Sequence, residues 1–174
     1  MRSFAHEKST GSYESLMTTP VTPLQVLGSK FMSCWLFYGL LWVPLWLMMI
    51  WLGRFFNDPG YLDAGIIAGT SLGVMLVGAL FLSIGCLASV LTQSQLIAAM
   101  MALTLEMALF MLSFVIYLLP DQSGWQAALF EHISLFNHMS DFVRGIVDGR
   151  HLAFYLCATA LSLFATWRWV ESHK

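Results

Sequence analysis

The chain has 174 residues, of which 58% are apolar and only 10% charged, with a net charge of −2. An ordinary globular chain is roughly 25% charged, so this composition, with a mean hydropathy of +0.72, excludes a water-soluble domain. The slightly acidic balance gives no electrostatic footprint for a nucleic-acid partner, and the length leaves room for one helical bundle.

Residues 1–30 are polar. A secretory signal would place its apolar core close to Met1, whereas Pro20 and Pro23 stand in this stretch with no such core before them. The segment therefore belongs to an aqueous compartment. Ser12 to Met17 can form a short helix closed by Pro20, with Phe4, Tyr13, Leu16 and Met17 as apolar surface and Glu7, Lys8 and Glu14 as charges. A solvated tail is the plainer reading of the same composition. Thr22-Pro23-Leu24-Gln25 is a helix start: a hydroxyl cap, proline at the first position, and an amide that reaches back. That helix is expected to run through Lys30 into the first apolar span.

Four spans follow, at residues 31–53, 64–91, 96–119 and 151–170. The first carries Trp35, Trp42, Trp46 and Trp51, and Pro44 marks a kink within it. Between Asp63 and Glu106 there is no charged residue. One helix from Ala64 to Leu119 would be ~84 Å long, far beyond a ~30 Å hydrocarbon core, so the polar break Thr92-Gln93-Ser94-Gln95 must divide two spans. The runs are continuously apolar rather than alternating, which favours helices over a barrel.

Within the second span Gly65, Gly69 and Gly73 recur every four residues, a face on which another helix can approach closely, either inside the bundle or from a second subunit. Gly69-Thr70-Ser71-Leu72-Gly73 also matches a nucleophile-elbow pattern, but that elbow needs a strand, a sharp turn and a helix. An intramembrane serine hydrolase using Ser71 and His151 is thus an alternative with neither oxyanion donors nor an orienting acid in evidence. Glu106 lies mid-span, where a carboxylate costs at least ~2.5 kcal/mol. It must be protonated, paired or facing a wet cavity, as a contact on a transport path or as a helix-to-helix hydrogen bond.

Residues 120–150 form an amphipathic segment, with Ala127, Phe130, Ile133, Phe136 and Met139 three residues apart and Phe142, Val143 and Ile146 continuing the apolar face. It reads as one or two short helices lying on the membrane surface or packed over the mouth of the bundle. Glu131, His132, His138 and Asp141 offer metal-ligand chemistry, but the histidine spacing does not share a helix face, and no metal is expected. Cys34, Cys86 and Cys157 follow no disulfide or zinc spacing, and the methionines are gap-filling residues of an apolar bundle. A four-span chain has both termini on one side. Arg2, Lys8, Lys30, Arg168 and Lys174 on that side against Arg54, Arg144 and Arg150 on the other favour cytoplasmic termini, the last being the tail 171–174.

Phe4, Ala5, Glu7, Lys8, Gly11, Glu14, Leu16, Thr18, Pro20 and Val21, followed by Leu27, Gly28 and Lys30 ahead of a span, make a motif that resembles the cytoplasmic loop of type-2 ATP-binding-cassette exporter permeases. The similarity is to the gliding-motility-associated and copper-enzyme-maturation type. His6, Ser12, Ser15 and the extra Ser29 depart from that pattern. In such permeases the loop lies between the second and third of six spans, so the chain resembles the last four; a start placed at an internal methionine would account for the other two, and a natural four-span variant is the alternative. The resemblance implies an all-helical permease subunit of the bacterial inner membrane, working with a second permease subunit and a separate cytoplasmic ATPase. That ATPase would bind the ATP and magnesium, since the chain has no Gly-x4-Gly-Lys-Ser/Thr loop and is not expected to be an enzyme. It also implies that Phe4, Glu7, Lys8, Gly11, Tyr13, Glu14, Leu16, Met17 and Pro20 form the ATPase-coupling surface. A membrane scaffold or anchor that moves nothing is the other expectation the residues leave open.

Overall fold

The structure is a computed structural model that describes residues 23–56, 63–92, 94–118 and 134–172. These residues form five helices: α1 (Pro23–Phe56), α2 (Ala64–Leu91), α3 (Gln95–Leu118), α4 (Leu135–Val143) and α5 (Gly149–Ser172). There is no strand among them.

Chain length and apolarity decide which helices can cross a bilayer. α1, α2 and α3 are each long and apolar enough. The expected fourth crossing differs. α5 has 24 residues, about 36 Å at 1.5 Å per residue. However, it carries Arg150, His151, Arg168 and Glu171, against the single charge Glu106 of α3, and these confine its apolar run to residues 152–167, short of the ~20 predominantly apolar residues of an ordinary span. Three helices rather than four therefore carry the full signature of a crossing, and α5 is the more polar member.

α1 is a single helix of 34 residues, ~51 Å long, and so begins well before the apolar window at residues 31–53. Pro23 stands at its first position, where the missing N–H leaves no gap in the helical ladder. α2 begins at Asp63, whose carboxylate accepts the backbone N–H of Gly65 at 2.9 Å. α2 and α3 form a hairpin around Thr92 and Ser94, with Thr92 Oγ1 donating to the carbonyls of Ala88 and Ser94.

Two apolar clusters organise the bundle. At one end Leu27 of α1, Val90 of α2 and Val170 of α5 pack together, with Trp167 and Leu163 against them. Toward the other end Leu80 of α2, Leu135 and Phe142 of α4 and Tyr155 of α5 form the second cluster. At the level of the second cluster α1 is tied to α2 by the Trp35 indole N–H, which donates to the Met75 carbonyl at 3.4 Å, and by the Tyr38 hydroxyl, which donates to the Val74 carbonyl at 3.3 Å. The Ser162 hydroxyl donates to Ser83 Oγ and joins α5 to α2. Such interhelical bonds within a membrane average about 0.6 kcal/mol. Beyond Trp42, α1 is almost wholly exposed, from Val43 to Phe55, as suits a surface that faces lipid or another subunit.

Candidate functional site

The chemistry of this chain concentrates around α4, and its sequence explains why. Ser134 caps the helix by accepting the Asn137 N–H at 3.4 Å. Leu135, His138 and Phe142 recur at three- and four-residue spacing and form the buried face. At the far end the Gly145 N–H donates to the Phe142 carbonyl at 3.0 Å and the Ile146 N–H to the Asp141 carbonyl at 2.9 Å. Gly145 takes φ 75°, the left-handed residue that closes a helix in a Schellman turn.

Three longer helices hold this short one. Ser113 of α3 accepts the Leu135 backbone N–H at 3.1 Å. On α5, His151 Nε2 lies 3.0 Å from Asp141 Oδ2. On α2, the glycine stripe receives the end of α4. A Cβ on Gly69 would stand 2.7 Å from the Phe142 carbonyl oxygen, and one on Gly73 would stand 2.8 Å from the Phe142 ring. Gly145 rests against the Gly65 backbone. The described part of the amphipathic segment thus sits in the bundle rather than flat on a membrane surface, and the stripe Gly65, Gly69 and Gly73 is occupied within this chain. Helix backbones approach so closely only where side chains are absent.

Aromatic rings seal the arrangement. His138 is 1% exposed, its ring centre 4.0 Å from that of His151 with the planes tilted by 36°, and flanked by Phe154 and Tyr155 at 5.4 and 5.7 Å. The Tyr155 hydroxyl is buried with no hydrogen-bond partner among the described residues, a group whose desolvation costs roughly 1–3 kcal/mol.

The other expected site residues fall elsewhere. Phe4, Glu7, Lys8, Gly11, Tyr13, Glu14, Leu16, Met17 and Pro20 lie outside the described residues, as do Glu131 and His132. Glu106 sits half-buried in α3. Ser71 lies inside the continuous helix α2, with its hydroxyl donating to the Ile67 carbonyl at 2.6 Å, so no elbow presents it. An acid for His151, not evident from spacing, does exist in Asp141, but it serves to join α4 to α5. Among the described residues no group of three or more His, Cys, Asp or Glu side chains could hold a metal ion. The Asp141–His151 pair went unread in the sequence because the two residues lie on different helices. Gly145 was the readable signal, a glycine placed where an amphipathic helix must stop.

Residues 1–166 match the family described as ABC-2 family transporter protein. The chain belongs to that family. No curated protein and no solved structure matches it. It is an ABC-2 membrane permease domain with helical membrane spans, of a family without ATPase motifs.

Proposed function

We propose that the chain is the permease subunit of an ATP-driven exporter in a bacterial inner membrane. It couples hydrolysis by a separate ABC ATPase to the movement of a substrate and pairs with a second permease subunit. The family match over residues 1–166 carries this reading. ATP and magnesium belong to the ATPase, and the termini face the cytoplasm in this topology, with α5 as a fourth crossing.

The architecture suits such a coupling. The segment before Pro23 joins directly to α1, whose Leu27 is wedged against Val90 and Val170. Force applied to residues 4–20 enters a helix that is unbroken from outside the hydrocarbon core to its far side, and reaches α2 and α5 at once. Tyr13, Leu16 and Met17 serve as apolar anchors for the ATPase groove, with Glu7, Lys8 and Glu14 setting the docking angle. Gly11 and Pro20 set the turns. Substrate passes as the bundle alternates access, a logic shared by other transporters.

The test is the reconstituted permease–ATPase complex. Tyr13→Ala or Glu14→Ala abolishes substrate-stimulated ATP hydrolysis if the segment couples. Unchanged stimulation, or labelling of residues 4–21 from the periplasmic side, overturns the reading.

A further inference from the structure

A groove of about 310 Å³ opens between α1 and α3 over α2, with α4 beside it. Five of its nine lining residues are aromatic: Tyr38, Trp42, Phe81, Phe110 and Phe136. The Tyr38 hydroxyl is already engaged by the Val74 carbonyl, so the wall offers a guest ring faces and hydrocarbon.

One turn before Phe110 on the same face of α3 stands Glu106. Counted from the hairpin at Thr92 and Ser94, Glu106 and the groove residue Phe81 lie at nearly the same height on their antiparallel helices. Glu106 makes no hydrogen bond or ion pair with another described residue. No Lys or Arg occurs from residue 64 to 119, and those of α1, Lys30 and Arg54, stand toward its ends. A carboxyl at this depth is costly unless something compensates it, and the described bundle supplies nothing that does.

We propose that this groove binds a lipophilic organic cation, its apolar body among the aromatic rings and its charge facing Glu106. Ring faces attract cations electrostatically and recognise quaternary centres in particular. A primary ammonium is strongly hydrated and would find too few hydrogen-bond acceptors in this wall. An alkylated or aryl-substituted cation demands none. Naming that ligand as cargo rests on the exporter reading, whereas its binding does not.

The test uses the full chain in lipid nanodiscs, with equilibrium binding of tetraphenylphosphonium and tetraphenylborate, ions of matching shape and opposite charge, each corrected for uptake by empty discs. The phosphonium binds at least tenfold more tightly. Glu106→Gln removes that preference while leaving tetraphenylborate binding intact, which also reports a formed groove. Glu106→Asp retains the preference, and Phe110→Ala weakens both ions. Equal binding of the two ions to the wild-type chain, or a preference that survives in Glu106→Gln, overturns the proposal. These measurements need no ATPase. Failure of the Tyr13→Ala test leaves them standing, and their failure leaves ATP coupling untouched.

Discussion

His151 Nε2 and Asp141 Oδ2 stand 3.0 Å apart across two helices, and this contact fastens the last turn of α4 to the start of α5. The side chains are 16% and 35% exposed, so water screens part of the interaction. Asp141→Ala is expected to cost about 1 kcal/mol and His151→Ala more, since it also removes the ring against His138, with the double variant little worse than His151→Ala alone because the Asp141 contact is then already lost. Thermal unfolding of the detergent-solubilised protein measures this. Strictly additive losses would show that the pair is not coupled.

The fit of α4 against α2 predicts a sharp contrast between glycines. At Gly69 an added Cβ meets a backbone carbonyl at 2.7 Å, whereas at Gly28 it meets nothing within 4 Å. Carbonyls in a capped helix end cannot swing aside as a long side chain can, so α4 must move bodily. Gly69→Ala is expected to lower stability by about 1–3 kcal/mol. Gly28→Ala should leave it unchanged or raise it by up to about 1 kcal/mol through helix propensity. Helix content followed through heating in detergent separates the two, and equal effects would contradict the described approach of α4.

Leu27 is 4% exposed and holds the foot of α1 against α2 and α5. Leu27→Ala opens a void there and is expected to cost about 2 kcal/mol. In the permease–ATPase complex it should reduce substrate-stimulated hydrolysis while basal hydrolysis persists, since the ATPase itself is intact. Stimulation equal to the wild type would show that this wedge carries no motion.

Ser71 donates to its own helix at Ile67. Ser71→Ala loses only a local back-bond, so its stability should lie within about 0.5 kcal/mol of the wild type, and transport should continue. Complete loss of activity in a stably folded Ser71→Ala protein would revive hydrolase chemistry.

The helical class was legible because residues 64–105 carry no charge, and a backbone in hydrocarbon must satisfy its own hydrogen bonds. α5 shows where that logic thins. Its apolar core is short and its ends are charged, so composition alone does not separate it from a partly buried helix. The stripe Gly65, Gly69 and Gly73 announced a close approach, yet nothing local says what approaches. The partner, residues 142–145, lies far along the chain and is chosen by tertiary packing. The Asp141–His151 contact was hidden for the same reason. The family motif in residues 4–30 was readable because its residue types and order are specific, although residues 4–20 lie outside the described residues.

A rod longer than the sheet it pierces converts small tilts into wide strokes. Pro44 has no N–H to offer the Leu40 carbonyl, so α1 is softest near its midpoint. From there to Pro23 the arm is ~31 Å, and a swing of about 10° displaces its tip by about 5 Å, close to one helical pitch. That stroke is enough to slide Leu27 out from between Val90 and Val170, and the same swing draws Trp35 and Tyr38 off the α2 carbonyls, so a tilt at the foot of α1 reaches its neighbours at two heights together.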